Sequence, residues 1–589
     1  MGKHSQKNRT NKHPPLASTA KPRKNYRAFI LPAILLIAFV IRVSLIPSAE
    51  KMPFNYMSDS RMYADKAMLI LDGKETEAVS HQGPLYPYFI AGICAIAGRS
   101  SMRPVLVVQM LLALCAIFLV YSIALRFTNS WPTACLAAFL LALYQPMIFY
   151  EQMILMESLL AFLYLIIIWL LLKAQAEGKK WLWFASGALI GIAALGRGTV
   201  LLFALLLIIA TVLKSTPLPW PEKKSLYVRL LVFTLGIMAA LSPLTIRNYS
   251  HGKEFVPLAA NFGITFYEGN NRFSKGMYMD PPGLNINQDF TGEKIAAYLA
   301  GRPLKPSEVS RFWTGEAWRD IKGDPMLFVK LLGLKAAYYC NAAEIPNAES
   351  YAYASTYASF YSIPLFGFPI AGIFGAIGIA FALQKRRKGH ATLLLFMAAH
   401  AVSVVMFFVT ARYRISVVPI VLIFASMAIV RIYDLYKEKR SGMLAILGLA
   451  GIGAGLGVFF PWPRLDGHRF LASTHTNLGF YFAQNQNADA ARQYYETAIK
   501  ECPVFWKSYN NLGNLYSAEG EKENALKCYF QGLKKGLPDD SCAMFIHMSL
   551  GVFYLKEGTI DEARKNFAIA SPFVPYSLMV RQVGKELKF

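Results

Sequence analysis

The chain has 589 residues, of which 55% are hydrophobic and 16% are charged, and its formal net charge is +25. This composition is too apolar for an ordinary soluble protein and is typical of a helical protein that crosses a membrane several times. Because the basic residues cluster beside apolar runs, they indicate contact with membrane lipids and not with nucleic acid.

The N-terminal segment 1–27 holds eight basic residues and no acidic one. It is predicted to be a disordered cytoplasmic tail that is attracted to anionic membrane lipids. A cleaved signal peptide ending near residue 49 is the alternative interpretation. The long basic region and Pro47 fit a cleavage site poorly, which favours an uncleaved first crossing.

Apolar runs predict an all-α, polytopic membrane domain over residues 28–460 with about eleven crossings. They lie near 28–47, 104–125, 133–150, 154–172, 181–195, 198–213, 226–245, 362–383, 391–409, 413–431 and 442–460. With the N-terminus inside, the basic clusters between crossings fall on the cytoplasmic side, as the positive-inside rule requires. The long segments 48–103 and 246–361 then face outward, at a plasma or inner membrane.

Each outer segment contains recognisable elements. In the first, "SDSRMYADKAMLILDG" predicts a helix along the membrane surface, and "GPLYPYFIAGICAIAG" is short enough to be interfacial or re-entrant. The second is long enough to form a partly helical cover, with "FYEGNNRFSKGMYMDPPG" as its polar, flexible part.

The C-terminal segment 470–575 is periodic. "TNLGFYF" at 476 and "NNLGNLY" at 510 are 34 residues apart, and "MSLGVFY" follows at 548. This period, with small residues at Ala491, Ala525 and Ala563 and aromatic ones at Tyr495, Tyr529 and Phe567, predicts about three tetratricopeptide repeats. Such repeats usually bind a protein partner on their concave face, although a stalk that binds nothing is the alternative.

Ionisable and amide side chains at the predicted outer membrane boundary are candidates for function, because burying them there must be offset by a partner or a ligand. Asp59 is the candidate catalytic group, but its position near the start of a helix equally suits an N-cap. The candidate substrate-binding residues are His81, Glu151, Glu157, Arg197, Arg247, Asn248, Arg412 and Arg414. The arginines suit a lipid phosphate, and snorkelling anchors are the alternative.

The soluble-enzyme motifs of P-loop, dinucleotide-binding, hydrolase and zinc-protease sites are missing from the sequence. Glycines occur at alternate positions over residues 451–457, but within a predicted crossing, where helix packing explains them better than nucleotide binding.

Several segments, in this order, resemble the GT-C class of membrane glycosyltransferases, specifically glycosyltransferase family 39 with its protein O-mannosyltransferases and lipid A aminoarabinose transferases. They include "SDSRMYADKAMLILDG", "ALYQPMIFYEQMILMESLLAFLY", "SPLTIRNYSHGKEFVPLAANFGITFYEGNN" and "RYRISVVPI". The resemblance extends over about residues 28–435. Ser60 follows Asp59 where the protein mannosyltransferases carry Asp-Glu, which weakens the inference of a protein hydroxyl as acceptor.

The resemblance implies a polyprenyl-phosphate-linked sugar as donor, and a lipid, glycan or protein as acceptor on the outer face. It further implies a single inverting displacement in which Asp59 takes or orients the acceptor proton. Arg412, Arg414 or Arg247 would stabilise the departing phosphate. No cofactor is indicated with certainty, and a divalent metal ion shared by Asp59 and the donor phosphate is left open.

Two other functions remain open on the sequence alone. An O-antigen ligase or polymerase also has many crossings and outward arginines, but its key residues would be expected in a late loop. A non-enzymatic membrane scaffold or transporter would use the repeats only to gather partners.

Overall fold

The computed structural model describes residues 27–74, 77, 79–278, 289, 291–385, 389–462, 465–536 and 542–570. Every regular element in these ranges is a helix, and the extended pairings among them are two isolated bridges, Tyr144 with Phe366 and Met277 with Val409. The prediction of an all-α fold is confirmed. Residues 1–26 of the predicted tail, part of the predicted flexible segment (279–283) and the predicted end of the repeats (571–575) lie outside the described residues.

The membrane-associated part begins with ten helices. They are α1 (Arg27–Lys51), α2 (Ser58–Leu71), α3 (Leu85–Ala97), α4 (Arg103–Thr128), α5 (Trp131–Ala142), α6 (Gln145–Glu151), α7 (Glu157–Glu177), α8 (Lys180–Ala194), α9 (Val200–Ser215) and α10 (Trp220–Gly252). The predicted helices of the first outer segment are thus present as α2 and α3.

The second outer segment and the last membrane helices follow. They comprise α11 (Phe262–Gly269), α12 (Glu293–Ala300), α13 (Pro306–Gly323), α14 (Pro325–Cys340), α15 (Phe368–Lys385), α16 (His390–Val405), α17 (Ala411–Ile415), α18 (Val418–Lys437) and α19 (Ser441–Val458). Short 3-10 helices lie at Pro53–Tyr56, Tyr351–Thr356 and Ser359–Ser362.

Within the ranges that the structure describes, six helices are long and apolar enough to cross a membrane by themselves: α1, α4, α7, α10, α18 and α19. The other five predicted crossings coincide with the shorter apolar helices α5, α8, α9, α15 and α16. The chain is therefore a multi-pass membrane protein, and the number of eleven crossings stays a prediction.

Several predicted boundaries are wrong. The predicted crossing 133–150 is divided at Leu143 and Tyr144, and 413–431 is divided between α17 and α18. In both cases a proline, Pro146 or Pro419, stands in the first turn of the second helix, where its missing N–H costs nothing. The predicted crossing 391–409 ends as a helix at Val405, and α10 continues past its predicted end at 245.

Helices α8 and α10 pack backbone against backbone. A Cβ atom added at Gly187 would lie 1.9 Å from the carbonyl oxygen of Phe233, and one added at Gly236 would lie 2.3 Å from that of Phe184. Only glycine permits this approach, which replaces side-chain packing by close van der Waals contact between the helices. The contact fixes the position of α10, and Leu244 near the C-terminal end of this helix lines the main cavity.

The C-terminal helices form three antiparallel pairs: α20 (Gly467–Gln484) with α21 (Ala488–Glu501), α22 (Trp506–Glu519) with α23 (Lys522–Lys535), and α24 (Cys542–Lys556) with α25 (Ile560–Ala570). In each pair the glycine of the Leu-Gly motif lies against the aromatic residue of the second helix. The pairs are Gly479 with Tyr495, Gly513 with Tyr529 and Gly551 with Phe567. The repeat prediction is confirmed.

The first repeat packs directly on the second outer segment. The His475 ring lies 5.1 Å from the ring of Tyr353, edge to face, and Tyr353 also shares a hydrogen bond with Tyr494. Leu478 of α20 is completely buried in the same core as the membrane helices. The repeats and the second outer segment therefore lie on the same side of the membrane domain.

Candidate functional site

Asp59 lies in the first turn of α2 and projects to α17 instead of capping its own helix. The residue before it, Ser58, has a φ of +52°, a left-handed conformation that is costly for a side chain other than glycine. Helix α2 has no side-chain cap. The Asp59 Oδ2 atom accepts a hydrogen bond of 2.6 Å from Nη1 of Arg412, and the Asp59 side chain is 23% exposed.

The guanidinium of Arg412 faces three carboxylates. Besides Asp59, its Nε donates to Oε1 of Glu157 at 2.7 Å, and its Nη1 lies 4.0 Å from Oε1 of Glu349. Arg412, Glu157 and Glu349 are all almost completely buried. Since buried charges are stable only when they are paired, these four residues from four separate parts of the chain form one interdependent cluster.

Arg197 adds a second cation to this cluster. Its Nη2 donates to the same Glu157 oxygen at 3.0 Å, and its guanidinium lies over the ring of Tyr413 at 4.3 Å from the centroid. The Arg197 Nη1 atom is buried without a hydrogen-bond partner. A buried guanidinium nitrogen in this state is a suitable donor to an anionic ligand.

Sequence reasoning did not identify Glu349. Both of its carboxylate oxygens are buried without a hydrogen-bond partner. Burial raises the pKa of Glu349 to about 7, although the nearby Arg412 opposes that shift. The only sequence signal was an acidic residue in the aromatic, glycine-free stretch "NAESYAYAS", which carries no recognisable motif.

A cavity of about 1780 Å³ opens beside the cluster. Its polar wall includes Asp59, His81, Arg197 and Arg412. Its apolar wall includes Leu202 of α9, Leu244 of α10, and Phe262, Ile264 and Phe266 of α11. The cavity thus joins an ionised site to an apolar surface made by α11 and by the membrane helices α9 and α10, as an amphiphilic ligand requires.

His81 lies in this cavity on the segment between α2 and α3. Its backbone N–H donates to Oε2 of Glu77 at 3.2 Å. Burial lowers the pKa of the His81 imidazole to about 4, so the ring is neutral at neutral pH. It can therefore serve as a hydrogen-bonding group but not as a standing positive charge.

Arg247 and Asn248, near the C-terminal end of α10, hold this segment in place. Arg247 donates from Nη2 to the carbonyl oxygen of Glu77 at 3.0 Å, and the Asn248 Oδ1 accepts from the backbone N–H of Ser80 at 3.2 Å. Neither residue lines the cavity. Both residues therefore hold the segment that precedes α3, and the phosphate contact of Arg247 stays a prediction.

Two other predicted residues lie outside the cavity in buried ion pairs. The Glu151 carboxylate accepts from Arg42 Nε at 2.6 Å and from Arg42 Nη2 at 3.2 Å. Arg414 lies 3.0 Å from Glu344 and donates to the carbonyl oxygens of Tyr339 and Asn341. Neither Glu151 nor Arg414 lines the cavity in this arrangement, and contact of either residue with the substrate stays a prediction.

The described residues contain no group of three or more His, Cys, Asp or Glu side chains placed to hold a metal ion. Among the described residues, the carboxylates that line the cavity are Asp59, Asp65, Glu77 and Glu268, and Asp59 faces the guanidinium of Arg412. A divalent ion shared by Asp59 and the donor phosphate stays a prediction.

The protein is a multi-pass helical membrane protein with a cavity lined by ionised side chains. Its chain continues into a domain of helical repeats. The family model described as "Dolichyl-phosphate-mannose-protein mannosyltransferase" matches residues 81–243. The model described as "Tetratricopeptide repeat" matches residues 472–505 and 507–534. These matches confirm the predicted resemblance to GT-C mannosyltransferases and support a membrane glycosyltransferase.

No curated protein matches the chain. Among solved structures, the chain is similar to the Archaeoglobus fulgidus oligosaccharyltransferase tethered with an acceptor peptide, at 14% identity and a TM-score of 0.37. That match covers 80% of this chain and 59% of the oligosaccharyltransferase. A likeness at this level carries no argument about substrate or mechanism.

The raised pKa of Glu349 predicts a pH dependence of stability. Its ordinary value is 4.5, so the folded protein binds this proton more tightly than the unfolded chain, and stability is expected to fall as the pH rises from about 4.5 to about 7. Glu349→Gln removes this contribution. The check is the thermal unfolding temperature of wild type and variant, in detergent, at several pH values across that range.

The matched control is Glu293→Gln, which replaces an exposed carboxyl on α12. The difference between wild type and this control is expected to stay constant with pH. A constant difference for Glu349→Gln as well would show that folding does not raise the pKa of Glu349.

Proposed function

We propose that the protein is an integral membrane glycosyltransferase that moves a sugar from a polyprenyl-phosphate donor to an acceptor on the outer face of the membrane. The observation that carries this proposal is the shared cavity of Asp59 and Arg197. There a partly exposed carboxylate and a buried, unpartnered guanidinium nitrogen lie beside an apolar surface of membrane helices. Such a transfer needs a base for the acceptor, a hydrogen-bond donor for the anionic phosphate, and an apolar wall for the lipid chain.

The donor would bind with its polyprenyl chain along α9 and α10 and its phosphate beside Arg197. Nη1 of Arg197 supplies a hydrogen bond to the phosphate, while its Nη2 is held by Glu157. Arg412 contributes positive charge but directs its Nε and Nη1 donors to Glu157 and Asp59. Positive charge at the leaving phosphate stabilises the negative charge that develops there in the transition state.

Asp59 would act on the acceptor. Arg412 fixes the Oδ2 atom of its carboxylate, and the exposed part of the group is available to the acceptor hydroxyl. As the acceptor oxygen bonds to the anomeric carbon, its proton passes to Asp59. The bond from that carbon to the phosphate oxygen breaks, and the electron pair leaves with the phosphate. A single displacement of this kind inverts the anomeric configuration.

The distribution of basic residues predicts the orientation of the chain in the membrane. The positive-inside rule places the basic N-terminus in the cytoplasm and the Asp59 segment, with the repeats, on the outer or periplasmic side. Because the repeats pack on the second outer segment, the two share one side whichever way the domain inserts.

The test is the glycolipid and glycoprotein profile of cells that lack the protein, complemented with wild type or with Asp59→Asn. A glycan is expected to disappear without the protein and to return only with wild type, since an amide cannot accept the proton. Asp72→Asn, at the end of the same helix, is the matched control and should restore the glycan, because its carboxylate pairs with Arg99 and Lys74 at the surface.

Full restoration of the glycan by Asp59→Asn would refute the assignment of Asp59 as the base. An unchanged glycan profile in cells without the protein would favour the scaffold function.

A further inference from the structure

The cavity that holds Asp59 does not end at the membrane domain. Its wall continues along the repeats, from Phe470 and Ser473 of α20 through Lys507 of α22 to Lys556 of α24. The first helix of every repeat therefore takes part in the same cavity as the ionised cluster. The concave face of the repeats and the site at Asp59 form one continuous space, which we call the acceptor groove.

The repeats contribute the same positions to this groove each time. The residue before the Leu-Gly motif lines the cavity in all three repeats, as does the second residue after its leucine. The first set is Asn477, Asn511 and Ser549, and the second is Phe480, Asn514 and Val552. A regular row of contacts suits an extended ligand that runs across the repeats.

Amide groups occur repeatedly along this wall. Asn510 lines the groove, and its Oδ1 atom is buried without a hydrogen-bond partner. Asn477, Asn511 and Asn514 line it as well. A carboxamide offers both a donor and an acceptor, so it matches the N–H and C=O groups of an extended polypeptide backbone. Asn514 Oδ1 accepts from the Tyr529 hydroxyl, and Asn511 shares a hydrogen bond with Tyr495, so the buried Oδ1 atom of Asn510 is the group that an acyl chain would leave unsatisfied.

The charge of the groove indicates the composition of its ligand. The repeat residues that line it include three basic side chains, Arg469, Lys507 and Lys556, and none that is acidic. Aromatic side chains, including Phe505, Trp506 and Phe545, stand between them. A polypeptide with acidic residues near the modified hydroxyl is complementary to this wall.

We propose that the acceptor is a polypeptide, held extended along the acceptor groove by the repeats and presented by them to Asp59. This inference rests on the proposed function, since it names the acceptor of that transfer. It also gives the repeats a role in selecting the substrate, beyond assembly with a partner protein.

The test places the photoreactive amino acid p-benzoylphenylalanine at either end of the groove, as Ser473→p-benzoylphenylalanine or Ser549→p-benzoylphenylalanine, in the full chain in cells. Position 527, an exposed lysine on α23 outside the cavity wall, is the control. We expect both groove positions, and not the control, to capture the same protease-sensitive polypeptide. Mass spectrometry is expected to find a sugar on it in wild type and none when Asp59→Asn is also present.

The outcomes separate this inference from the proposed function. A captured lipid or a protease-resistant glycan, altered by Asp59→Asn, would overturn the polypeptide acceptor and leave the transferase intact. A captured polypeptide whose glycosylation does not depend on Asp59 would overturn both. Capture at position 527 to the same extent, or no polypeptide at either groove position, would refute the binding of a polypeptide along the acceptor groove.

Charge reversal tests the complementarity separately. Lys507→Glu with Lys556→Glu is expected to lower the yield of the captured polypeptide about tenfold, because two favourable contacts become repulsive. Lys527→Glu with Lys534→Glu changes the net charge equally at exposed positions of α23 and should have no effect. Equal yields from the two double variants would show that the groove does not select acidic segments.

Discussion

Arg412→Met is expected to destabilise the protein by about 3 to 5 kcal/mol, the usual cost of removing one partner from a buried ion pair. Glu157 and Glu349 are 0% and 1% exposed; Glu349 would lose the guanidinium that faces it, and Glu157 would keep only the one of Arg197. Against a total stability of about 5 to 15 kcal/mol, this loss is large. It is measured as a lower thermal unfolding temperature and a smaller monodisperse fraction in detergent.

A second variant separates folding from chemistry. Arg412→Met combined with Glu349→Gln removes the stranded Glu349 carboxylate, and Glu157 keeps its ion pair with Arg197, so much of the lost stability is expected to return while the proposed sugar transfer stays abolished. Arg61→Met removes an exposed arginine of α2 and is the matched control. If Arg412→Met alone unfolds at the wild-type temperature, the buried carboxylates are protonated and need no counter-ion.

Gly187→Val is expected to prevent the close packing of α8 and α10. The first added carbon would already lie 1.9 Å from the Phe233 carbonyl oxygen, so the two backbones must separate. Overpacking of this kind costs about 1 to 3 kcal/mol or more. The same measurements of thermal unfolding and monodispersity apply.

Gly453→Val in α19 is the matched control, because no atom lies within 4 Å of the position of its Cβ. It should unfold at the wild-type temperature. If Gly187→Val does so too, the two helices are not in backbone contact. The contrast also shows that glycine in a membrane helix is not by itself a sign of close packing, since a Cβ atom at Gly453 would meet no atom of a neighbouring helix among the described residues.

Much of the architecture could be predicted from local patterns. Apolar runs located the membrane helices, and a 34-residue period located the repeats, because both signals depend only on neighbouring residues. Helix ends were less predictable. The divisions at Tyr144 and Val417 depend on prolines within apolar runs and, at Tyr144, on a contact with Phe366 more than 200 residues away.

The site could be predicted only in part. Asp59, Glu157, Arg197 and Arg412 stood out as charges near apolar segments, and the structure brings them together. Their partners could not be inferred, because a buried charge on one helix does not reveal which distant residue neutralises it. For this reason the sequence did not identify Arg42 in the first crossing or Glu349 in the second outer segment. The ion pairs that Glu151 and Arg414 form outside the cavity were missed in the same way.

The packing of His475 and Leu478 against the membrane domain determines how strongly the repeats must hold a ligand. Because α20 is docked and not suspended on a flexible linker, a segment held by the repeats would be confined next to Asp59. Its effective concentration there would be on the order of millimolar, as for a short tether. Weak affinity for the repeats would then suffice for efficient transfer, and weak affinity also lets the modified chain leave quickly.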